Sequence, residues 1–119
     1  MADTETTLTR LEFGDIILAP TQHPDLTGGK VRPVVVVSNR DFHLHSLNVI
    51  VMSLSAEIPD PLPKNLILLA NWKEMGLHRR SVIKPVLHTI SQGLDLTVRA
   101  HLDEATRSEL RALLARIIG

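Results

Sequence analysis

The sequence predicts a small, mainly β fold with α: a barrel of short strands covered by one C-terminal amphipathic helix. Three observations carry this. Val34 to Val37 and Val49 to Val51 are unbroken β-branched runs, the pattern of strands buried on both faces. Gly, Pro, Asn and Asp punctuate the chain from Pro20 to Gly93, which leaves room for short strands and little else. Only the last segment has a sustained helical period, with Leu110, Leu113, Leu114, Ile117 and Ile118 at i, i+3, i+4, i+7 and i+8.

In chain order, residues 1–10 are polar and read as a flexible tail, and residues 11–119 as a single domain. Phe13 to Ala19 is a strand with Ile16 and Leu18 on one face and Ile17 on the other. Pro20 to Val31 is a turn-rich connection containing Pro24, Gly28 and Gly29, long for a domain of this size and therefore a candidate functional loop. Strands are expected over Pro33 to Ser38, Asn48 to Leu54 and Leu66 to Leu69. Asn71 caps one helical turn that Gly76 ends. Ser81 to Ile90 is a strand bent at Pro85, and Leu96 to Leu102 the last strand. Asp103 is the N-cap of the closing helix, Glu104 suits its positive end, and Arg107, Arg111 and Arg116 lie off the apolar stripe.

Composition narrows the function. The 119 residues carry 13 basic and 13 acidic side chains, which argues against coating nucleic acid by bulk charge but leaves room for a local basic site. With no cysteine, disulfides, zinc–thiolate centres and thiol nucleophiles are excluded. Phe13, Phe42 and Trp72 are the only aromatics, too few for a stacking platform or a peptide-reading aromatic groove. There is no apolar run near the ~18 residues a membrane span needs, and the polar start is no secretory signal, so a cytoplasmic protein without membrane contact is expected. His43 and His45 lie two apart, but no third ligand accompanies them, and neither a metal site nor a cofactor is expected.

Three ordered stretches carry a family resemblance: Gly14-Asp15-Ile16-Ile17-Leu18; Val31-Arg32-Pro33 running into Val34 to Asn39; and Val49-Ile50-Val51-Met52-Ser53-Leu54-Ser55. With Ser81-Val82-Ile83-Lys84, His88-Thr89-Ile90 and the closing helix, the chain resembles the PemK/MazF toxins of type II toxin–antitoxin systems. The resemblance implies an SH3-like barrel, a homodimer, a cognate antitoxin and sequence-specific cleavage of single-stranded RNA without metal. In that chemistry the ribose 2′-OH attacks the adjacent phosphorus and leaves 2′,3′-cyclic phosphate and 5′-OH ends.

Carried onto this sequence, the resemblance makes Arg32 and Ser55 the catalytic pair. Arg32 has a planar fork suited to phosphate, and Pro33 holds it in extended geometry at the end of the loop. Ser55 ends a buried strand, where its hydroxyl can hydrogen-bond a phosphoryl oxygen, and Ser53 shares its side-chain parity. Where relatives carry an Arg and an Asp on the strand over Val82 to Leu87 this chain has Ile83 and Pro85, and Gly29 and Lys30 stand where an acid is common. The acid–base candidates are therefore His88 and Asp25. Lys30, Ser53, Arg79, Arg80 and Lys84 are candidate RNA contacts, and Gly28 and Gly29 the hinge of the loop. The alternative is a barrel of this type that has lost catalysis and only binds RNA or protein.

Overall fold

The structure is a computed structural model that describes residues 11–21, 30–94 and 96–119. The elements run β1 (Asp15–Thr21), β2 (Lys30–Val36), α1 (Arg40–His45), β3 (Asn48–Ser55), β4 (Ile67–Leu69), β5 (Ser81–Ser91), β6 (Thr97–His101) and α2 (Glu104–Ile117). The six strands form one antiparallel sheet in the order β4-β5-β3-β2-β1-β6, curled into a half-barrel.

The curl gives two apolar faces. Ile16, Val35, Met52, Ile67, Leu69, Ile83, Ala100 and Leu102 pack against Leu110 and Leu113 of α2. Ile17, Ala19, Val34, Val36, Val49 and Val51 point the other way and gather with Leu11. Val34, Val35 and Val36 are all buried, as the unbroken valine run predicts for a strand covered on both sides. No helix among the described residues is long and apolar enough to cross a membrane.

Helix α2 starts where the sequence places it. Asp103 accepts the Thr106 amide at 2.8 Å, and its other oxygen accepts from Asn71 Nδ2 at 2.7 Å, tying the 71–76 turn to the helix. Gly76 ends that turn at φ +86°, a left-handed conformation that favours glycine. The apolar stripe is buried at Leu110 and Leu113, whereas Ile118 is exposed because the helix stops at Ile117. Arg107 does not stand clear of the core. Its stem packs on Gly14, where a Cβ would lie 2.8 Å from Arg107 Cδ.

Two features depart from the sequence reading. The β1–β2 hairpin is longer than expected, because Pro20 pairs with Val31 and Thr21 with Lys30. Residues 22–29, including Asp25, Gly28 and Gly29, lie outside the described residues. The second departure is α1, for which the sequence reading had no element. Asn39 caps it by accepting the Phe42 amide at 2.9 Å, and Gln92 Nε2 donates to the His43 and Ser46 carbonyls at 3.0 and 2.8 Å, satisfying its C-terminal end.

His43 is the buried side chain of α1. Its Nδ1 donates to the Leu11 carbonyl at 2.8 Å, which fixes the tautomer and leaves Nε2 to accept from Ser38 Oγ at 2.6 Å. Ser38 Oγ in turn accepts the Ile50 amide at 2.9 Å. The bond accepted by Nε2 requires a neutral ring, and burial pushes the His43 imidazole below its ordinary value. His43 and His45 therefore face different surroundings, one buried and one exposed, rather than sharing the face an extended segment would give them.

Candidate active site

A proline opens the site. Pro33 pairs with Leu18 of β1, but the β2–β3 ladder ends one residue later, at Val34↔Ser53. Pro33 has no N–H to continue it. Arg32 and Ser55 each lie two residues beyond that last pair, where the two strands are no longer paired.

Both residues line a cleft of about 500 Å³. Its walls also include Pro33, Leu54, Glu57, Leu77, His78, Arg79 and Arg99. Its floor reaches Ser81, which is buried and donates to the Arg79 carbonyl at 3.0 Å. The cleft therefore joins the unpaired ends of β2 and β3, Leu18 of β1, the segment from the Gly76 turn to the start of β5, and edge strand β6.

Ser55 is poised as a donor. Its Oγ accepts the Glu57 amide at 3.1 Å, which leaves its own O–H free for a group in the cleft. The same bond turns the chain after β3 and brings Glu57 to the cleft wall. Among the described residues, Arg32, Arg79 and Arg99 form no ion pair, whereas Arg40, Arg107 and Arg111 all face glutamates. Three guanidiniums without carboxylate partners in one concavity favour an anionic ligand.

The sequence-predicted residues divide. Arg32, Ser55 and Arg79 meet in the cleft. Lys30 opens β2 opposite Thr21. Ser53 and His88 hydrogen-bond each other, Oγ to Nε2, at 3.1 Å outside the cleft lining. Lys84 and Arg80 are also outside it. Lys84 belongs to a bulge, since Met52 pairs with Leu87 while Leu54 pairs with Ile83, which sets Lys84, Pro85 and Val86 against Ser53 alone.

The sequence reading missed Glu57 and Arg99. Glu57 follows Ser55 by two, a spacing at which a hydroxyl can accept the next-but-one amide, and that was the available signal.

Comparison with known proteins agrees with this geometry. The family described as "PemK-like, MazF-like toxin of type II toxin-antitoxin system" matches residues 12–118. No curated protein sequence matches the chain. Among solved structures, the fold is similar to that in the MazE–MazF complex of Deinococcus radiodurans (Form-III), with TM-score 0.71 and 14% identity over 92% of this chain and 96% of that one. It is similar to an endoribonuclease in complex with its cognate antitoxin from Mycobacterial species, with TM-score 0.65 and 14% identity over 90% and 92% of the two chains. It is also similar to the Mycobacterium tuberculosis toxin MazF-mt6, with TM-score 0.62 and 23% identity over 88% and 92%. At these identities the likeness is one of fold, and membership rests on the family match across nearly the whole chain. The chain belongs to the PemK-like, MazF-like toxins of type II toxin–antitoxin systems.

Proposed function

We propose that this toxin is a metal-independent endoribonuclease that cleaves single-stranded RNA at short sequences, works in the cytoplasm as a homodimer and is neutralised by a cognate antitoxin. The observation that carries the reading is the convergence of Arg32 and Ser55 in one cleft, at the point where β2 and β3 part. Support comes from solved structures of similar fold described as an endoribonuclease and as toxin–antitoxin complexes.

The substrate supplies its own nucleophile, since the 2′-OH lies beside the phosphorus it attacks. What remains for the protein is to hold the phosphate, stabilise the charge that builds on its oxygens and move two protons. Arg32 donates its fork to the phosphoryl oxygens. Ser55, its acceptor face occupied by the Glu57 amide, donates O–H to a non-bridging oxygen. Arg79 contributes a further cation to the wall. Glu57 and His78 are the carboxylate and imidazole of the lining, the side-chain types that exchange protons with a reacting group. They offer the acid–base pair that the strand over Val82 to Leu87 does not carry, and this favours an active enzyme over a barrel that only binds.

The test is incubation of the purified protein with a long single-stranded RNA and with the same RNA annealed to its complement. Discrete cuts confined to the single strand are expected. An intact single strand in the presence of folded protein would leave a binding function only.

A further inference from the structure

Strand β6 carries an irregularity in its pairing with β1. Ile16 pairs with Ala100 and Ile17 with Val98, so one step along β1 answers two steps along β6, and Arg99 is the extra residue. The packing confirms the bulge. Val98 and Ala100 are two apart and would share a face in a regular strand. Instead Ala100 belongs to the helix-covered cluster and Val98 packs against the opposite one. Arg99 is left belonging to neither face.

The bulge is held on both sides. Asp15, buried in β1, accepts from His101 Nδ1 at 2.6 Å, and its second oxygen accepts the Glu12 amide at 2.9 Å. The Gly76 turn runs close by, with a Cβ on Gly76 falling 3.9 Å from the Arg99 carbonyl. Between these anchors Arg99 lines the same cleft as Arg32 and Ser55, without an ion-pair partner among the described residues.

We infer that Arg99, re-aimed by the β6 bulge, is a substrate-positioning residue that grips a backbone phosphate of the RNA neighbouring the one held by Arg32. This rests on the ribonuclease reading of the cleft. A cleft of about 500 Å³ is larger than one phosphate needs and lies in the range of a drug-sized ligand, ~300–1,000 Å³, which leaves room for the next nucleotide. Arg32 comes from a hairpin strand and Arg99 from an edge strand on the other side of β1. The two cations are thus mounted independently on the sheet, an arrangement suited to fixing the direction of the strand as well as its position. Arg99 makes no claim on the reacting atoms, so its effect falls on binding.

The experiment measures binding of a single-stranded oligonucleotide, 2′-O-methylated throughout so that it is not cut, across a salt series, beside steady-state cleavage of the unmodified RNA. Wild type, Arg99→Gln, Arg99→Lys and a control, Arg116→Gln on the far helix, are compared after their thermal melts are matched. Arg99→Gln is expected to weaken binding about tenfold and to flatten the slope of log affinity against log salt by about 0.7, the change for one phosphate contact on a single strand. KM should rise about tenfold, with kcat changing much less. Arg99→Lys should restore the slope, and Arg116→Gln should match wild type. An Arg99→Gln protein with unchanged slope and KM, beside a wild type that binds and cuts, overturns the role of Arg99 and leaves the ribonuclease reading standing. A wild type that neither binds nor cuts overturns both. A wild type that binds poly-glutamate in an Arg99-dependent way, but RNA independently of Arg99, assigns the cation to an acidic peptide and overturns the phosphate role.

Discussion

Arg32 of β2 and Ser55 of β3 line one cleft, each two residues beyond the last pair of the β2–β3 ladder, Val34↔Ser53. In the proposed mechanism both side chains serve one phosphate. Arg32→Ala should lower cleavage at saturating RNA by about 10²–10³-fold, and Ser55→Ala by a similar order, the cost of removing one preorganised donor to a developing charge. Arg32→Lys should recover only part of the loss, since an ammonium lacks the bidentate fork. Full activity in Arg32→Ala would contradict the assignment.

Glu57 and His78 carry the next prediction. Glu57→Gln and His78→Ala should each reduce kcat by about 10²–10⁴-fold if they exchange protons with the 2′-OH and the leaving oxygen. His88, bonded to Ser53 away from the cleft lining, should matter much less. Single-turnover rates on a short RNA measure this. A large loss in His88→Ala beside a small one in His78→Ala would return the proton-transfer role to His88.

Gly14 is a structural test independent of RNA. It holds φ +89°, and a Cβ there would press on the stem of Arg107 at 2.8 Å. Its amide and carbonyl also bond Val36 and Leu102, so the backbone has little freedom to relax. Gly14→Ala should destabilise the fold by about 1–3 kcal/mol, read as a lower urea midpoint at unchanged slope. Adding Arg107→Ala should relieve the contact but not the backbone conformation, giving a partial recovery.

His43 predicts how stability depends on pH. Burial holds its imidazole below the ordinary value of 6.5, opposed by the hydrogen bond to the Leu11 carbonyl and by the Asp15 carboxylate. Between the folded value and 6.5 the unfolded chain binds more protons than the native one, so stability rises with pH across that window. The contribution is complete above 6.5 and is lost as pH falls towards the folded value. Urea midpoints should therefore drop from pH 7.5 to pH 5 in wild type. His43→Gln should be less stable at pH 7.5 and flatter over the same interval, and parallel curves for the two would contradict this.

The parts of the fold that sequence could show are those written in side-chain period. The Val34 to Val36 run, Val49, Val51 and the Leu110, Leu113 spacing each report burial directly, and those residues belong to the two cores, whereas Val37 and Ile50 are only half-buried. Helix α1 was invisible because a helix this short has no period to read, and beyond its local bonds to Asn39 and Ser38 its stability comes from bonds made at a distance by Gln92 and Leu11. In the site, Arg32 and Ser55 were legible through family resemblance, but the cleft depends on where pairing stops. Arg99 reaches it only because a bulge breaks strand alternation, and a bulge is decided by what packs on each face of the sheet. Glu57 and His78 sit in connections whose paths are set by the Ser55 hydrogen bond and the Gly76 turn.

The most direct measurement uses a short RNA carrying one mapped cleavage site, incubated in excess EDTA with wild type and with Arg32→Ala, beside the same RNA bearing a single 2′-deoxy sugar immediately 5′ of the scissile phosphate. The account predicts that wild type cuts the all-ribose RNA to 2′,3′-cyclic phosphate and 5′-OH ends, that the 2′-deoxy substrate is not cut, and that Arg32→Ala slows the cut by about 10²–10³-fold. Cleavage through the 2′-deoxy sugar, or a wild-type rate in a clean Arg32→Ala preparation, would contradict it.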